Sequence, residues 1–348
     1  MPETPNKVGH FEVDLPPEKQ VLALFAAKWT LGALRALVEA KVPDVLARGP
    51  RTAAEIGAET GTRADTLYRL LRAVAAAGIL TEGADGRFAL TAASTGLVSG
   101  APDGIRDMFL FASDPMLWRP YENVAHSLRT GRPSFEEAFG MSFYEYTKAN
   151  PAGGAVLDRA MQQNQYPATD VIFERFDFGR FGRIADVGGG RGQFLAEILR
   201  RHPHCTGVLA DQPQTVADAK ATFEDEDVAG RVTIVPTDFF VEVPGGCDAY
   251  FIKHTLHNWD DDKAELILRR IREAIGDDRD ARLLIVDQLL RGPGEWDIGK
   301  LIDVEALAVL GGRERGLDEW NRIAGAAGFT IANEPVPGNI ALLEYRPV

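Results

Sequence analysis

Two hydrophobic rhythms divide the chain. Between Glu18 and about residue 178 apolar side chains recur every three or four positions, the helical spacing. From Arg183 onward, short apolar runs alternate with helix-period stretches. The first helical stretch, Glu18 to about Lys41, carries Val21, Leu22, Leu24, Phe25, Leu31, Leu34, Leu37 and Val38. It is apolar over so much of its circumference that it must be buried on several sides, which in a small N-terminal domain implies a partner subunit. Thr52-Ala-Ala-Glu55 is a capping box that opens a short helix ending at Gly61. A second helix from Thr62 carries Leu67, Leu70, Leu71, Val74 and Ile79. Leu80-Thr81 and Arg87–Leu90 then flank the turn Gly83–Gly86, a hairpin signal. Helix, turn, helix, hairpin is a winged helix.

Residues 104–178 are helical in pattern and rich in aromatics and methionine, most of which belong to a core. A few can line a pocket for a flat apolar substrate, with Met116, Trp118 and Met161 as candidates and Asn164 and Asn258 as polar substrate contacts. The later rhythm places strands near Arg183–Val187, Gly207–Ala210, Val232–Pro236, Ala249–Lys253 and Leu283–Val286. A closing pair, Phe329–Asn333 and Ala341–Tyr345, follows. Strand and helix in alternation mean an α/β domain with a parallel sheet covered on both faces. The expected organisation is a mobile arm (1–17), a winged-helix domain (18–100), a helical substrate-pocket region (101–178) and the α/β domain (179–348).

The 348 residues carry a net charge of −13, which argues against nucleic acid as the main partner even for a winged helix. Arg63, Arg69 and Arg72, the residues a DNA-reading face would use, are better read as solvated. Two cysteines, Cys205 and Cys247, make no disulfide framework and suit a reducing cytoplasm. No apolar run approaches the roughly 20 residues of a membrane span.

The chemistry lies past the strand ends, where ligands of such sheets sit. The first strand runs into Asp186-Val-Gly188-Gly-Gly190-Arg-Gly192 and then a helix, the opening of a nucleotide-binding unit. A dinucleotide fingerprint reads Gly-x-Gly-x-x-Gly. An acid ahead of the glycines instead suits the cationic S-adenosylmethionine. Asp211, with Gln212 beside it, follows the next strand at the distance where an acid grips ribose hydroxyls. Asp238 and Phe239 follow the third strand, placed either to hold and cover adenine or to cap a helix and fill a core. After the fourth strand come Lys253, His257 and Asn258. Lys253 either pairs with the S-adenosylmethionine carboxylate or faces water, and Asp260–Asp262 cap the next helix rather than bind a metal. Asp287 follows the fifth strand, and Glu314 lies in Gly311–Arg315. A histidine with two carboxylates is the chemistry of an oriented general base, though spacing leaves open whether the three meet.

These motifs resemble the large family of S-adenosylmethionine-dependent O-methyltransferases typified by plant caffeic acid and isoflavone enzymes, with bacterial relatives that decorate antibiotics and polyketides. Leu157-Asp-Arg-Ala-Met161, Asp186–Gly192, Asp238-Phe239, Lys253–Trp259 and Gly311–Arg315 carry the likeness in order. The resemblance implies a Rossmann-like seven-stranded methyltransferase domain behind a mainly helical winged-helix dimerisation domain. It implies S-adenosylmethionine contacts from Gly188, Asp211, Asp238, Phe239 and Lys253, His257 as general base supported by Asp287 and Glu314, Met161 against the substrate, and a homodimer. Two departures stand out. Asn258 replaces the aspartate that often follows the histidine, and Gln162-Gln163-Asn164-Gln165 differs from the plant enzymes, so the acceptor is not carried over. Expected is SN2 methyl transfer to a hydroxyl, probed against three rivals: a non-methylating relative, a DNA-binding regulator and an NAD oxidoreductase.

Overall fold

In the computed structural model, described here for residues 7–8, 11–12, 21–102, 104–163, 168–338 and 340–348, the long apolar runs become one seven-stranded sheet. Its strands are β1 (Arg183–Val187), β2 (Thr206–Asp211), β3 (Val232–Pro236), β4 (Ala249–Lys253), β5 (Arg282–Gln288), β6 (Phe329–Ile331) and β7 (Ile340–Pro347). They lie side by side in the order β6-β7-β5-β4-β1-β2-β3. The first five are parallel, β7 runs antiparallel to β5, and β6 antiparallel to β7. The order reverses between β1 and β4, so the connections leaving those two strands go opposite ways and open a crevice at their C-terminal ends.

Strand periodicity supplies two cores. Ala185 and Val187 of β1, Tyr250 and Ile252 of β4, and Leu283 and Ile285 of β5 face one side, with Ile267 and Ile271 of the helix Asp261–Ile275. Ile184, Leu209, Phe251, Leu284 and Val286 face the other, with Leu195 and Leu199 of the helix Gln193–Arg201. With both faces covered, the central strands read as unbroken apolar runs. The acids after the fourth strand do cap the next helix. Asp260 Oδ1 accepts the Lys263 N–H at 2.9 Å, and Asp261 and Asp262 occupy the first turn.

The chain divides into two compact units, one of Met1–Arg119 and Tyr144–Gln165, the other of Pro120–Phe143 and Tyr166–Val348. The helical stretch 101–178 is therefore not a region of its own, because its short helices pack in different cores. Arg106–Ala112 packs on Pro151–Gln163 in the first unit. In the second, Ser134 at the start of Ser134–Phe139 donates its hydroxyl to the Ala308 carbonyl at 3.3 Å.

The first unit contains the winged helix. Helices Ala53–Thr60 and Ala64–Ala76 precede a three-stranded sheet in which Arg87–Leu90 pairs with Arg51–Thr52 and Leu80–Glu82. The capping box is formed: Thr52 N–H donates to Glu55 Oε2 at 2.7 Å and Glu55 N–H donates to Thr52 Oγ1 at 3.3 Å. The long first helix spans Ala23–Glu39. Its C-terminal half buries Ala33, Leu34, Leu37 and Val38, while Leu24, Phe25 and Trp29 are exposed, Trp29 by 69%. Of the expected arm, only Lys7–Val8 paired antiparallel with Phe11–Glu12 falls among the described residues. Among those residues no helix is long and apolar enough to cross a membrane. Both cysteines are free thiols and buried.

Candidate active site

The glycine turn closes over a buried acid. β1 ends at Val187, and Gly188, Gly190 and Gly192 all take positive φ, a conformation that glycine adopts without steric cost. A Cβ on Gly189 would overlap the Asp186 carboxyl, and one on Gly188 would lie 3.0 Å from the Thr255 side chain, while Gly190 faces open space. Asp211 is the last residue of β2 rather than the first beyond it. Its Oδ2 accepts the Gly190 N–H at 2.8 Å and its Oδ1 the Gln212 N–H at 2.6 Å, stapling the turn.

Asp186 is 1% exposed and its Oδ1 has no partner. Burial drives its carboxyl well above the usual range, with Lys253 pulling the other way. Lys253, the last residue of β4, does not simply face water. It is half-buried, its Nζ lies 5.7 Å from the Phe194 ring centre, and burial lowers its pKa against the pull of Asp186 and Asp287. Phe239 is buried against Phe240 and Trp259. Asp238 is exposed and accepts the Phe240 N–H at 2.9 Å. A glycine turn open at Gly190, an unpartnered carboxylate oxygen beneath it and an acid at the end of β2 fit a cationic nucleoside.

Beside this turn, at the end of β4, sits a cluster of titratable groups. The His254 N–H donates to Val286 O at 3.0 Å, tying the turn to β5, and the Thr255 hydroxyl donates to Gly188 O at 3.4 Å, tying it to the glycines. His257 stands on the tight turn Leu256–Asn258, and its Nδ1 is 2.7 Å from Glu314 Oε1 and 3.7 Å from Asp287 Oδ1. Asp287 lies within β5, not after it, opposite Ala341 of β7, so the sheet itself fixes its position. Asp287 and Glu314 are buried, and Asp287 Oδ2 and Glu314 Oε2 have no partner.

Burial works against a charged His257, but Asp287 and Glu314 outweigh it and raise its pKa to about 9. Burial pushes Glu314 up, only partly offset by His257, whereas the two histidines hold Asp287 below the usual carboxylate range despite its burial. The loop behind the histidine is clamped to it. The Arg313 N–H donates to His257 O at 2.9 Å, and the Glu314 N–H donates to Asp303 Oδ1 at 2.7 Å. The fully buried Arg315 guanidinium reaches Leu256 O, Trp259 O and Asp261. His254, His257 and Asp287 also bring three donor atoms within 4.8 Å of one another, although His257 Nδ1 is already engaged by Glu314.

Comparison with known proteins identifies the family. Residues 121–330 match the O-methyltransferase domain family and residues 23–100 the O-methyltransferase dimerisation domain family. The chain is a member of the S-adenosylmethionine-dependent O-methyltransferase family. It is 39% identical over 318 residues to an 8-amino-8-demethylriboflavin N,N-dimethyltransferase of Streptomyces davaonensis, covering 90% of each chain. It is 32% identical over 335 residues to a phenazine O-methyltransferase of Lysobacter antibioticus, covering 96% of this chain and 97% of that one. It also superimposes with a TM-score of 0.80, at 31% identity, on an O-methyltransferase from neocarzinostatin biosynthesis solved with S-adenosylmethionine and 2-hydroxy-5-methyl naphthoic acid. That match covers 92% of this chain and 96% of the other.

Within this O-methyltransferase, the second unit brings together Asp186, Gly188, Gly190, Asp211, Gln212, Asp238, Phe239 and Lys253 around one sheet edge, with His257, Asp287 and Glu314 beside them. Asn258 shares the histidine turn, its side-chain amide donating to His254 O at 3.5 Å. Met116, Trp118 and Met161 belong to the other unit. Met116 is 2% exposed, with its sulfur 3.4 Å from where a Cβ on Gly153 would lie, so it packs within that unit. Trp118 and Met161 are exposed. Asn164 lies outside the described residues. Sequence reasoning passed over His254, Thr255, Asp303, Gly312 and Arg315. Their common signal is adjacency to residues already singled out, and only the fold gives each a partner.

Proposed function

We propose that this chain methylates a hydroxyl, phenolic in character, of a small aromatic or polyketide natural product, with His257 as general base. The observation that carries the reading is the His257 ring, held through Nδ1 by Glu314 with the Asp287 carboxylate 3.7 Å away, beside the glycine turn. Phenazine, demethylriboflavin and naphthoic acid, named for the relatives, are all flat fused aromatic rings, which supports an acceptor of that shape. S-adenosylmethionine, when bound, supplies an electrophilic methyl group on a sulfonium. Gly188 and Gly190 would receive it at the turn, with Asp186, Asp211, Gln212, Asp238, Phe239 and Lys253 around it. With Nδ1–H donated to Glu314, His257 presents Nε2 as the acceptor for the hydroxyl proton, and the two carboxylates stabilise the imidazolium that results. A phenol of pKa about 10 is scarcely ionised at neutral pH, so this proton must be removed as the oxygen attacks.

The test is incubation of the pure protein with S-adenosylmethionine and a panel of phenolic and polyketide acceptors, read by mass spectrometry. A gain of one methylene with release of S-adenosylhomocysteine supports the reading. Modification of an amine only, by one or two methylenes, would replace the hydroxyl acceptor, and a product gaining oxygen would overturn methyl transfer itself. Because His257 takes up its proton at about pH 9, only its neutral form can act. The rate with a given phenol is expected to rise with pH toward that value, and His257→Gln should abolish this limb. A flat profile between pH 6 and 9 in the parent protein would exclude His257 as base.

The dimerisation-domain match and the exposed Leu24, Phe25 and Trp29 support a homodimer that covers this helix face. Phe25→Glu with Trp29→Glu should shift the light-scattering mass from twice the chain mass to once. A doubly substituted protein that stays dimeric would place the interface elsewhere.

A further inference from the structure

Asp287 serves two imidazoles, not one. Its Oδ1 lies 3.5 Å from His254 Nδ1 and 3.7 Å from His257 Nδ1, and the two rings sit 5.6 Å apart, tilted by 53°. His254 reaches this place by taking φ +47°, a left-handed conformation that L side chains rarely adopt. It is one of three described non-glycine residues with positive φ, and of these only His254 stands in the site. Its N–H is bonded to Val286, the neighbour of Asp287 in β5, so the backbone that carries the strain also sets the ring against the carboxylate.

We propose that His254 is a positioning residue for the base: by facing the same Asp287 oxygen as His257, whose Nδ1–H goes to Glu314, it limits how strongly the Asp287 charge stabilises a proton on His257. The physical reason is that one buried carboxylate faces two rings. A neutral imidazole that donates to Asp287 draws negative charge toward itself and leaves less to stabilise an imidazolium at His257. Burial keeps His254 on the neutral side, against the pull of Asp287. The charged groups around the pair are Asp287 of β5, Glu314 and Arg315 of the following loop with Asp303 behind Glu314, and Lys253 at the end of β4. None of these bridges the two rings except Asp287. The consequence is that His257 becomes available as a base at a lower pH than Asp287 and Glu314 alone would permit.

The consequence for rate rests on His257 acting as the general base, but the effect on its proton does not, so the test reads both. Ring-carbon NMR of the full-length protein resolves a chain with six histidines, and the His257 signal is assigned from its absence in His257→Gln. His254→Gly, which suits the left-handed backbone and removes the ring donor, should move the His257 midpoint upward by about half a pH unit. His254→Asn, whose side chain tolerates the same backbone and whose amide nitrogen takes the place of Nδ1, should return it most of the way. The pH limb of methyl transfer should move with it. An unmoved midpoint in His254→Gly, or the same displacement in Gly and Asn, overturns the proposal. A midpoint that moves while the rate profile stays fixed upholds the positioning role and removes His257 as base. If the Gly variant does not fold, His254→Ala carries the same expectation.

Discussion

His257→Ala is expected to lower the single-turnover rate of methyl transfer by about 10²–10⁴-fold, the usual worth of a positioned general base, while S-adenosylmethionine affinity by calorimetry stays nearly unchanged. The separation follows from the geometry. His257 contacts Glu314 and Asp287, whereas the glycine turn is stapled by Asp211 and walled by Thr255 and Phe239. Truncation also leaves two buried carboxylates without their cation, and losing one partner of a buried pair destabilises by about 3–5 kcal/mol. The rate must therefore be taken per folded, cofactor-binding molecule. His257→Asn provides the control, since its amide nitrogen takes the place of Nδ1 and still donates to Glu314 but takes up no proton. It should be more stable than the alanine variant and remain slow. Parental turnover in either variant would leave the reaction without need of a base, as for a carboxylate acceptor.

Gly312→Ala is expected to be nearly as damaging with no change in charge. A Cβ at this position would overlap the His257 carbonyl oxygen and the Asn258 carbonyl, both backbone, so no side-chain rotation relieves it. The Arg313 N–H bonded to His257 O and the Arg315 guanidinium bonded to Leu256 O and Trp259 O hold the two segments together. Relief must come from moving the histidine turn away from Glu314. Overpacking of this kind costs about 1–3 kcal/mol, and a misplacement of about 1 Å in a reacting group costs on the order of 10²-fold in rate. Denaturant unfolding and single-turnover kinetics check the two parts separately. A variant with parental rate would mean that the turn adjusts without displacing the ring.

Periodicity and local chemistry carried a large share of this architecture. The apolar runs located all seven strands, and Arg183–Val187 and Ala249–Lys253 match their bounds because a central strand buried on both faces needs an unbroken apolar run. The Thr52 capping box, the Gly61 terminator and the Asp260 cap were legible because each is satisfied within a few residues of its own position. The glycine motif and His257 were legible because their residue types are rare in that order.

Whatever depended on partners distant in the chain was decided by the fold alone. Glu314 meets His257 across 57 residues, and Asp287 reaches both histidines because β5 pairs in register with β4 and β7. The same reason divides the stretch 101–178 between two cores and makes Met116 a buried packing residue in the first unit. His254 is the clearest case. Its residue type is unremarked in the sequence, and its place on Asp287 follows from a left-handed backbone that neighbouring strands hold in position. Sequence order determines which elements form and which groups stand at their ends, because those energies are local. Which of those groups share one buried carboxylate is a matter of strand order and register, and that only the tertiary structure decides.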